Sequence, residues 1–156
     1  MKPENTIELP PKYYLHNFQS LLDFVEKMYE NILADAEKQF IASFQALPED
    51  GQCLYLRMMN RRKRFFRANK FSYPELEITP QLWQELFRLG FALPIDLNYS
   101  DSFVTHFHEI AELFTKPELV KIGKKLNEVP VGFSQFSKPQ VLFYFQEEVD
   151  FEETPP

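Results

Sequence analysis

The sequence predicts a mainly α-helical protein: a helical N-terminal part that contains a winged-helix or helix-turn-helix-like element, followed by a compact helix–loop–helix. Three observations carry this. Apolar residues recur at helical spacing from Tyr13 to Leu33. Between Glu49 and Leu93 a helix, a cationic turn, short aromatic segments and a second helix follow one another, an order that suits a winged helix. Two helix starts near the C-terminal end, Thr115-Lys116-Pro117-Glu118 and Ser137-Lys138-Pro139-Gln140, carry the same capping signal.

Residues 1–12 are polar and hold three prolines, and read as a flexible arm. Leu15, Phe18, Leu21, Leu22, Val25, Met28, Tyr29, Ile32 and Leu33 then form one stripe of a helix expected to bury it. A second helix presents Phe40, Ile41, Phe44 and Leu47, and ends at Leu47-Pro48 because proline disfavours helical geometry in the residue before it. Glu49 and Asp50 open a third helix, where carboxylates suit the positive end of the helix dipole, and Cys53, Leu54 and Met58 face inward with Tyr55 beside them. Phe65-Phe66-Arg67 and Phe71-Ser72-Tyr73 are expected as short strands around a turn at Ala68-Asn69, with their aromatics in the core, and Phe91-Ala92-Leu93 as a third strand. Between them Thr79-Pro80 is a cap and first-turn proline, and Gly90 is the stop of a helix carrying Leu82, Trp83, Leu86, Phe87 and Leu89. After a connection over 94–101, Ser100 or Asp101 caps a helix with Phe103, Phe107, Ile110, Ala111 and Phe114. The two capping boxes then open short helices joined by a loop containing Gly132. These elements divide the chain into an arm at 1–12, a helical domain at 13–95, a helical module at 96–146 and an acidic linker at 147–156.

The charge distribution singles out one stretch. Arg57, Arg61, Arg62, Lys63, Arg64, Arg67 and Lys70 fall in a window, Gly51 to Pro74, that holds no Asp or Glu. Those seven are drawn from 17 Lys and Arg, so the rest of a chain of net charge −6 sets 10 cations against 23 acids. A strongly basic segment on an acidic background marks a local anion-binding surface, and nucleic-acid phosphate is the commonest such anion. The bland alternative is a solvated face whose arginines pair with acids elsewhere. Lys116, Lys121, Lys124, Lys125 and Lys138 form a second group, two of them at helix starts where free backbone N–H groups also favour phosphate.

Other chemistries are absent from the sequence. Four scattered glycines make no phosphate loop. His106 and His108 are two apart, so on a helix they do not share a face, and a metal site is not expected. Cys53 reads as an ordinary buried thiol of a reducing compartment. No apolar run approaches the roughly 20 residues of a membrane span. No Glu-x-Lys triplet occurs, so the strand pattern of metal-dependent nucleases is missing and no catalytic residue is assigned.

Tyr13-Tyr14-Leu15-His16-Asn17-Phe18, Leu54-Tyr55-Leu56-Arg57 with Arg61-Arg62-Lys63, Phe66-Arg67, and Tyr73-Pro74-Glu75-Leu76 resemble, in order, the N-terminal region of the Fanconi-associated nuclease family, the VRR-NUC proteins, and look closest to its bacterial members. Leu113-Phe114-Thr115-Lys116-Pro117-Glu118-Leu119 is similar to the segment that opens the family's SAP-like helix–loop–helix. One departure is Arg64, which stands where the family has glycine after an Arg-Lys pair. The resemblance implies a parent that is a structure-specific DNA nuclease of crosslink repair, using Mg or Mn in a C-terminal domain whose Asp…Glu-Val-Lys pattern is absent here. It implies that this chain is the non-catalytic, DNA-orienting portion, with no cofactor of its own, in a bacterial cytoplasm at the nucleoid. Its partners would be branched or flapped duplex DNA and its own nuclease domain, and it would have no membrane partner. The expected DNA-binding residues are Arg57, Arg61, Arg62, Lys63, Arg64, Arg67, Lys70, Lys116, Lys121, Lys124, Lys125 and Lys138. The competing expectations are a protein–protein adaptor, whose basic segment docks on an acidic partner, and a dimeric winged-helix transcription regulator.

Overall fold

The computed structural model describes residues 8–95, 106–126 and 129–148. Backbone contacts separate two units, Met1–Arg64 with Ala68–Leu93, and Phe65–Arg67 with Pro94–Pro156. Among the described residues every regular element is helical.

In the first unit α1 spans Tyr13–Tyr29, α2 Asp35–Ala46, α3 Glu49–Met59 and α4 Pro80–Arg88. The predicted breaks hold for local reasons. Glu37 reaches back to accept the Ala34 N–H at 2.7 Å and opens α2. Leu47 is extended (φ −65°, ψ 144°), as the residue before a proline prefers. The Thr79 hydroxyl accepts the Leu82 N–H at 3.2 Å at the start of α4. α3 packs on both α1 and α4. The core is Leu15, Leu22, Ile41, Phe44, Leu47, Cys53, Leu54, Leu56, Met58, Phe71, Leu82 and Leu86, all buried. Phe44 is its centre, with rings of Phe18, Phe40, Tyr55 and Phe91 at centroid distances of 5.1–6.3 Å. The buried Gln52 is satisfied: its amide donates to the Leu47 carbonyl at 3.1 Å and its Oε1 accepts from Gln19 at 3.0 Å.

Two expectations are corrected here. The α1 stripe is only half used, since Leu21, Met28, Tyr29 and Ile32 are exposed and the helix ends at Tyr29. Among the described elements, α3 is the main partner of α1, and its 11 residues cannot cover all 17 of α1. The three expected strands are not formed either. Ala68–Lys70 is a single 3₁₀ turn, and Phe71 and Tyr73 on its far side are placed by side-chain packing rather than by a ladder. Phe91 continues a helix C-cap: with Gly90 at φ 80°, the Phe91 N–H donates to the Leu86 carbonyl (2.9 Å) and the Gly90 N–H to that of Phe87 (3.1 Å). The aromatics that favour strands are satisfied by a half-buried surface of any kind, so no wing forms and the element is helix-turn-helix-like without one.

The second unit holds α5 (Phe107–Ala111), α6 (Lys116–Leu126) and α7 (Lys138–Glu148), with a 3₁₀ turn at Phe133–Gln135. The expected start of the helix at Ser100 or Asp101, with Phe103, lies outside the described residues, as do residues 1–7 of the arm and 149–156 of the acidic tail. At both starts the side chain three positions on reaches back to the cap residue, and at Ser137 the Gln140 N–H also donates to the cap hydroxyl at 3.5 Å. The Thr115 N–H and O–H donate to one oxygen of Glu118 (2.8 and 3.0 Å), and those of Ser137 to Gln140 (2.8 and 3.0 Å). α6 and α7 pack together over Leu119, Val120, Phe133, Val141, Leu142 and Phe145. Gly123 makes this approach feasible, because a Cβ there would lie 2.8 Å from the Phe133 ring. Gly132 supplies the left-handed conformation (φ 79°) that starts the 3₁₀ turn. No helix among the described residues is long and apolar enough to cross a membrane.

Candidate nucleic-acid interface

Of the twelve cations singled out by sequence, Arg57, Arg67 and Lys138 pair with carboxylates of their own units.

Arg57, on α3, is held between two rings, its guanidinium carbon 4.3 Å from the centroid of Tyr14 and 4.9 Å from that of Tyr73. It donates to Glu75 Oε1, which also accepts the Tyr14 hydroxyl at 3.0 Å. Glu75 compensates this charge through the ion pair, while the buried Arg57 Nε has no acceptor among the described residues. Burial works to raise the Glu75 carboxyl, but the hydrogen bonds from Arg57 and Tyr14 outweigh it and leave it below the usual carboxylate range. Burial pushes the Tyr14 phenol up and keeps it a donor. At the N-terminus of α3, Lys12 bridges Glu49 (2.6 Å) and Asp50 (2.7 Å), and the other oxygen of Asp50 accepts the Glu77 N–H at 3.1 Å. The hydrogen bond from Lys12 holds Asp50 low. Burial pushes the Cys53 thiol up, so it is a poor nucleophile.

In the second unit Arg67 donates to both oxygens of Glu118 (3.0 and 2.8 Å) and lies 4.5 Å from the Phe114 centroid. The Lys138 ammonium donates to the carbonyl of Glu112 at 3.0 Å and to its carboxylate at 3.2 Å, closing the C-terminus of α5. Hydrogen bonds from Arg67 and then from Thr115 bring the Glu118 carboxyl down to about 2. A carboxyl whose pKa falls from 4.5 unfolded to about 2 folded stabilises fully above pH 4.5, and its contribution is lost as pH falls from 4.5 towards 2. Glu118→Gln is therefore expected to destabilise the chain at neutral pH, with its deficit against wild type shrinking across that window. Chemical denaturation followed by circular dichroism at several pH values checks it.

Arg61, Arg62, Lys63 and Lys70 are exposed, as is Arg64, which has contacts of its own. Arg61 has no carboxylate partner among the described residues. Its guanidinium carbon lies 4.4 Å from the centroid of Phe71, and it donates to the Tyr73 hydroxyl at 2.7 Å. On α6, Lys116, Lys121, Lys124 and Lys125 line a groove of about 540 Å³ with Pro117, Val120 and Ser134. Two rows of i, i+4 neighbours, 116–120–124 and 117–121–125, put them on one face, and no carboxylate is in the lining. Among the described residues no three His, Cys, Asp or Glu side chains come together as a metal site. His106 is paired instead with Glu109, Nδ1 to Oε1 3.4 Å.

Sequence reading missed Tyr14, Tyr73 and Glu75 as partners of the cations, although the family-like segments contain them all. Tyr13–Phe18, Leu54–Arg57 and Tyr73–Leu76 meet in the network around Arg57.

Helix α3 packed on both α1 and α4, with a cationic turn after it, makes the first unit a small module of the helix-turn-helix class. Residues 12–93, more than half of the chain, match the family model described as FAN1, HTH domain, and the chain belongs to that family. It is 43% identical over 89 residues to the Fanconi-associated nuclease 1 homolog of Pseudomonas aeruginosa, covering 56% of this chain and 16% of the relative. With the homolog of Arabidopsis thaliana it shares 34% over 142 residues, 89% of this chain and 15% of the relative. The crystal structure of paFAN1 bound to 2nt 5′flap DNA with gap superposes with a TM-score of 0.67 at 31% identity, over 88% of this chain and 23% of that one. The match thus spans 15–16% of the length of the two homologs and 23% of the crystallised chain.

Proposed function

We propose that this chain is the DNA-gripping, DNA-orienting N-terminal portion of a structure-specific nuclease that acts on flapped or branched duplex. One observation carries this: in a chain of net charge −6, Arg61, Arg62 and Lys63 are exposed within a stretch, Gly51 to Pro74, that holds no Asp or Glu, and Lys116, Lys121, Lys124 and Lys125 line a groove on α6 with no carboxylate in its lining. Phosphate contacts from such surfaces position a duplex and carry little sequence information, which suits a protein that selects DNA by shape. The 5′-flap complex of the structural relative supports the same substrate for this family member.

On this basis residues 13–95 and 96–146 are two gripping modules, 1–12 an arm, and 147–156 a linker towards the nuclease domain of the parent. The segment supplies no catalytic group and holds no metal; hydrolysis, with Mg or Mn, belongs to that other domain, in the cytoplasm at the nucleoid. Arg61, Arg62, Lys63 and Lys70, with Lys116, Lys121, Lys124 and Lys125, are the phosphate-facing cations. Arg57, Arg67 and Lys138 are assigned instead to holding the modules' own structure.

Arg61→Ala/Arg62→Ala/Lys63→Ala is expected to weaken duplex binding and to reduce the slope of log K against log salt by about 2.7, at about 0.9 for each phosphate no longer neutralised. Its circular dichroism should match wild type, since none of the three is buried. Anisotropy titrations at several salt concentrations measure this, and an unchanged slope would sink the assignment of these residues.

A further inference from the structure

Arg61 differs from its exposed neighbours in being built into a ladder. Along it lie Tyr14, Arg57, Tyr73, Arg61 and Phe71: Arg57 is 4.3 and 4.9 Å from the centroids of Tyr14 and Tyr73, while Arg61 lies 4.4 Å from that of Phe71 and meets Tyr73 at its hydroxyl edge, 5.9 Å from the centroid. Both ends are anchored. Tyr14 is fixed through Glu75, and the buried Phe71 packs on Trp83 of α4 at 5.6 Å. The Tyr73 hydroxyl accepts from one terminal nitrogen of Arg61 at 2.7 Å. A stacked guanidinium with one nitrogen already bonded has lost most of its rotamer freedom, and its plane is set.

No carboxylate among the described residues neutralises Arg61, in contrast with Arg57 one turn earlier, whose charge Glu75 takes up. An aromatic shelf that orders an arginine without cancelling its charge prepares it for an anion from outside. We propose that Tyr73 and Phe71 are positioning residues that hold the Arg61 guanidinium as a fixed, planar donor for a nucleic-acid phosphate. The inference rests on the DNA-binding reading above. It adds that the contact is geometric as well as electrostatic, so Lys cannot replace Arg at position 61. An ammonium keeps the charge but loses the fork that Tyr73 and Phe71 orient.

The test is a set of anisotropy titrations on 5′-flap DNA with the whole chain and the variants Arg61→Lys, Tyr73→Phe, Arg61→Ala and the double Arg61→Ala/Tyr73→Phe. Arg61→Lys should bind about threefold to tenfold more weakly than wild type at every salt concentration, with an unchanged salt slope, because the charge is kept and the preorganisation is gone. Tyr73→Phe, which keeps the ring under Arg57, should show a similar loss in the wild-type background and none in the Arg61→Ala background. A loss of equal size in both backgrounds means that Tyr73 acts only on the fold and overturns the proposal, as does an Arg61→Lys variant that binds like wild type. Absence of binding by the wild-type chain is a different result, and it removes the DNA-binding reading together with this inference.

Discussion

Phe44→Ala is expected to cost the first unit about 3–5 kcal/mol, the range for removing a large aromatic from a packed core. Phe44 is fully buried and meets Phe18 from α1, Phe40 from its own helix, Tyr55 from α3 and Phe91 from the cap after α4. Truncation therefore leaves a void bordered by four separate segments, which cannot all collapse into it at once. Natural domains are stable by roughly 5–15 kcal/mol, so the loss takes a large share of what holds this unit folded. Trp83 is the only tryptophan and belongs to the same unit, so urea unfolding followed by its fluorescence reads the change directly. Phe44→Leu, which refills part of the volume, should lose distinctly less.

Glu75→Ala is the second large effect, about 2–3 kcal/mol. Removing one member of a fully buried ion pair costs more than that, but the Arg57 side chain is 36% exposed and water recovers part of the lost compensation. Two donors lose their acceptor at once, the Arg57 guanidinium and the Tyr14 hydroxyl. Arg57→Met keeps much of the stem between the tyrosine rings and removes the charge. In the Arg57→Met background, Glu75→Ala should therefore cost much less than it does alone, and a double-mutant cycle by chemical denaturation measures the coupling. Equal costs in the two backgrounds would mean that Glu75 stabilises the unit independently of Arg57.

Helix boundaries were legible because their causes are local. A proline after Leu47, a threonine before Pro80, a glycine at position 90 and two hydroxyl residues three positions ahead of Glu118 and Gln140 each set a helix end within one turn. Legibility ended where the partner comes from far along the chain. The carboxylates that occupy Arg57, Lys138 and Arg67 lie 18, 26 and 51 positions away, and a run of cations does not reveal which of its members such acids will reach. The same holds for Phe71 and Phe91. Both are expected in strands from the sequence, and Phe71 in the core, where it is; whether a ladder or a helix cap places such a ring depends on tertiary packing. The resemblance to the Fanconi-associated nucleases brought Tyr14, Arg57, Tyr73 and Glu75 into view without showing that they meet.

Whether the exposed cations grip DNA is measured by titrating the whole chain with single-stranded, plain duplex and 5′-flap DNA over a range of salt concentrations. The expected result is preference for flap or duplex over single strand, with log K falling linearly against log salt at about 0.9 per phosphate contacted. No binding to any of the three at low salt would contradict it, and the cationic faces around Arg61 and along α6 would then be surfaces for an acidic protein.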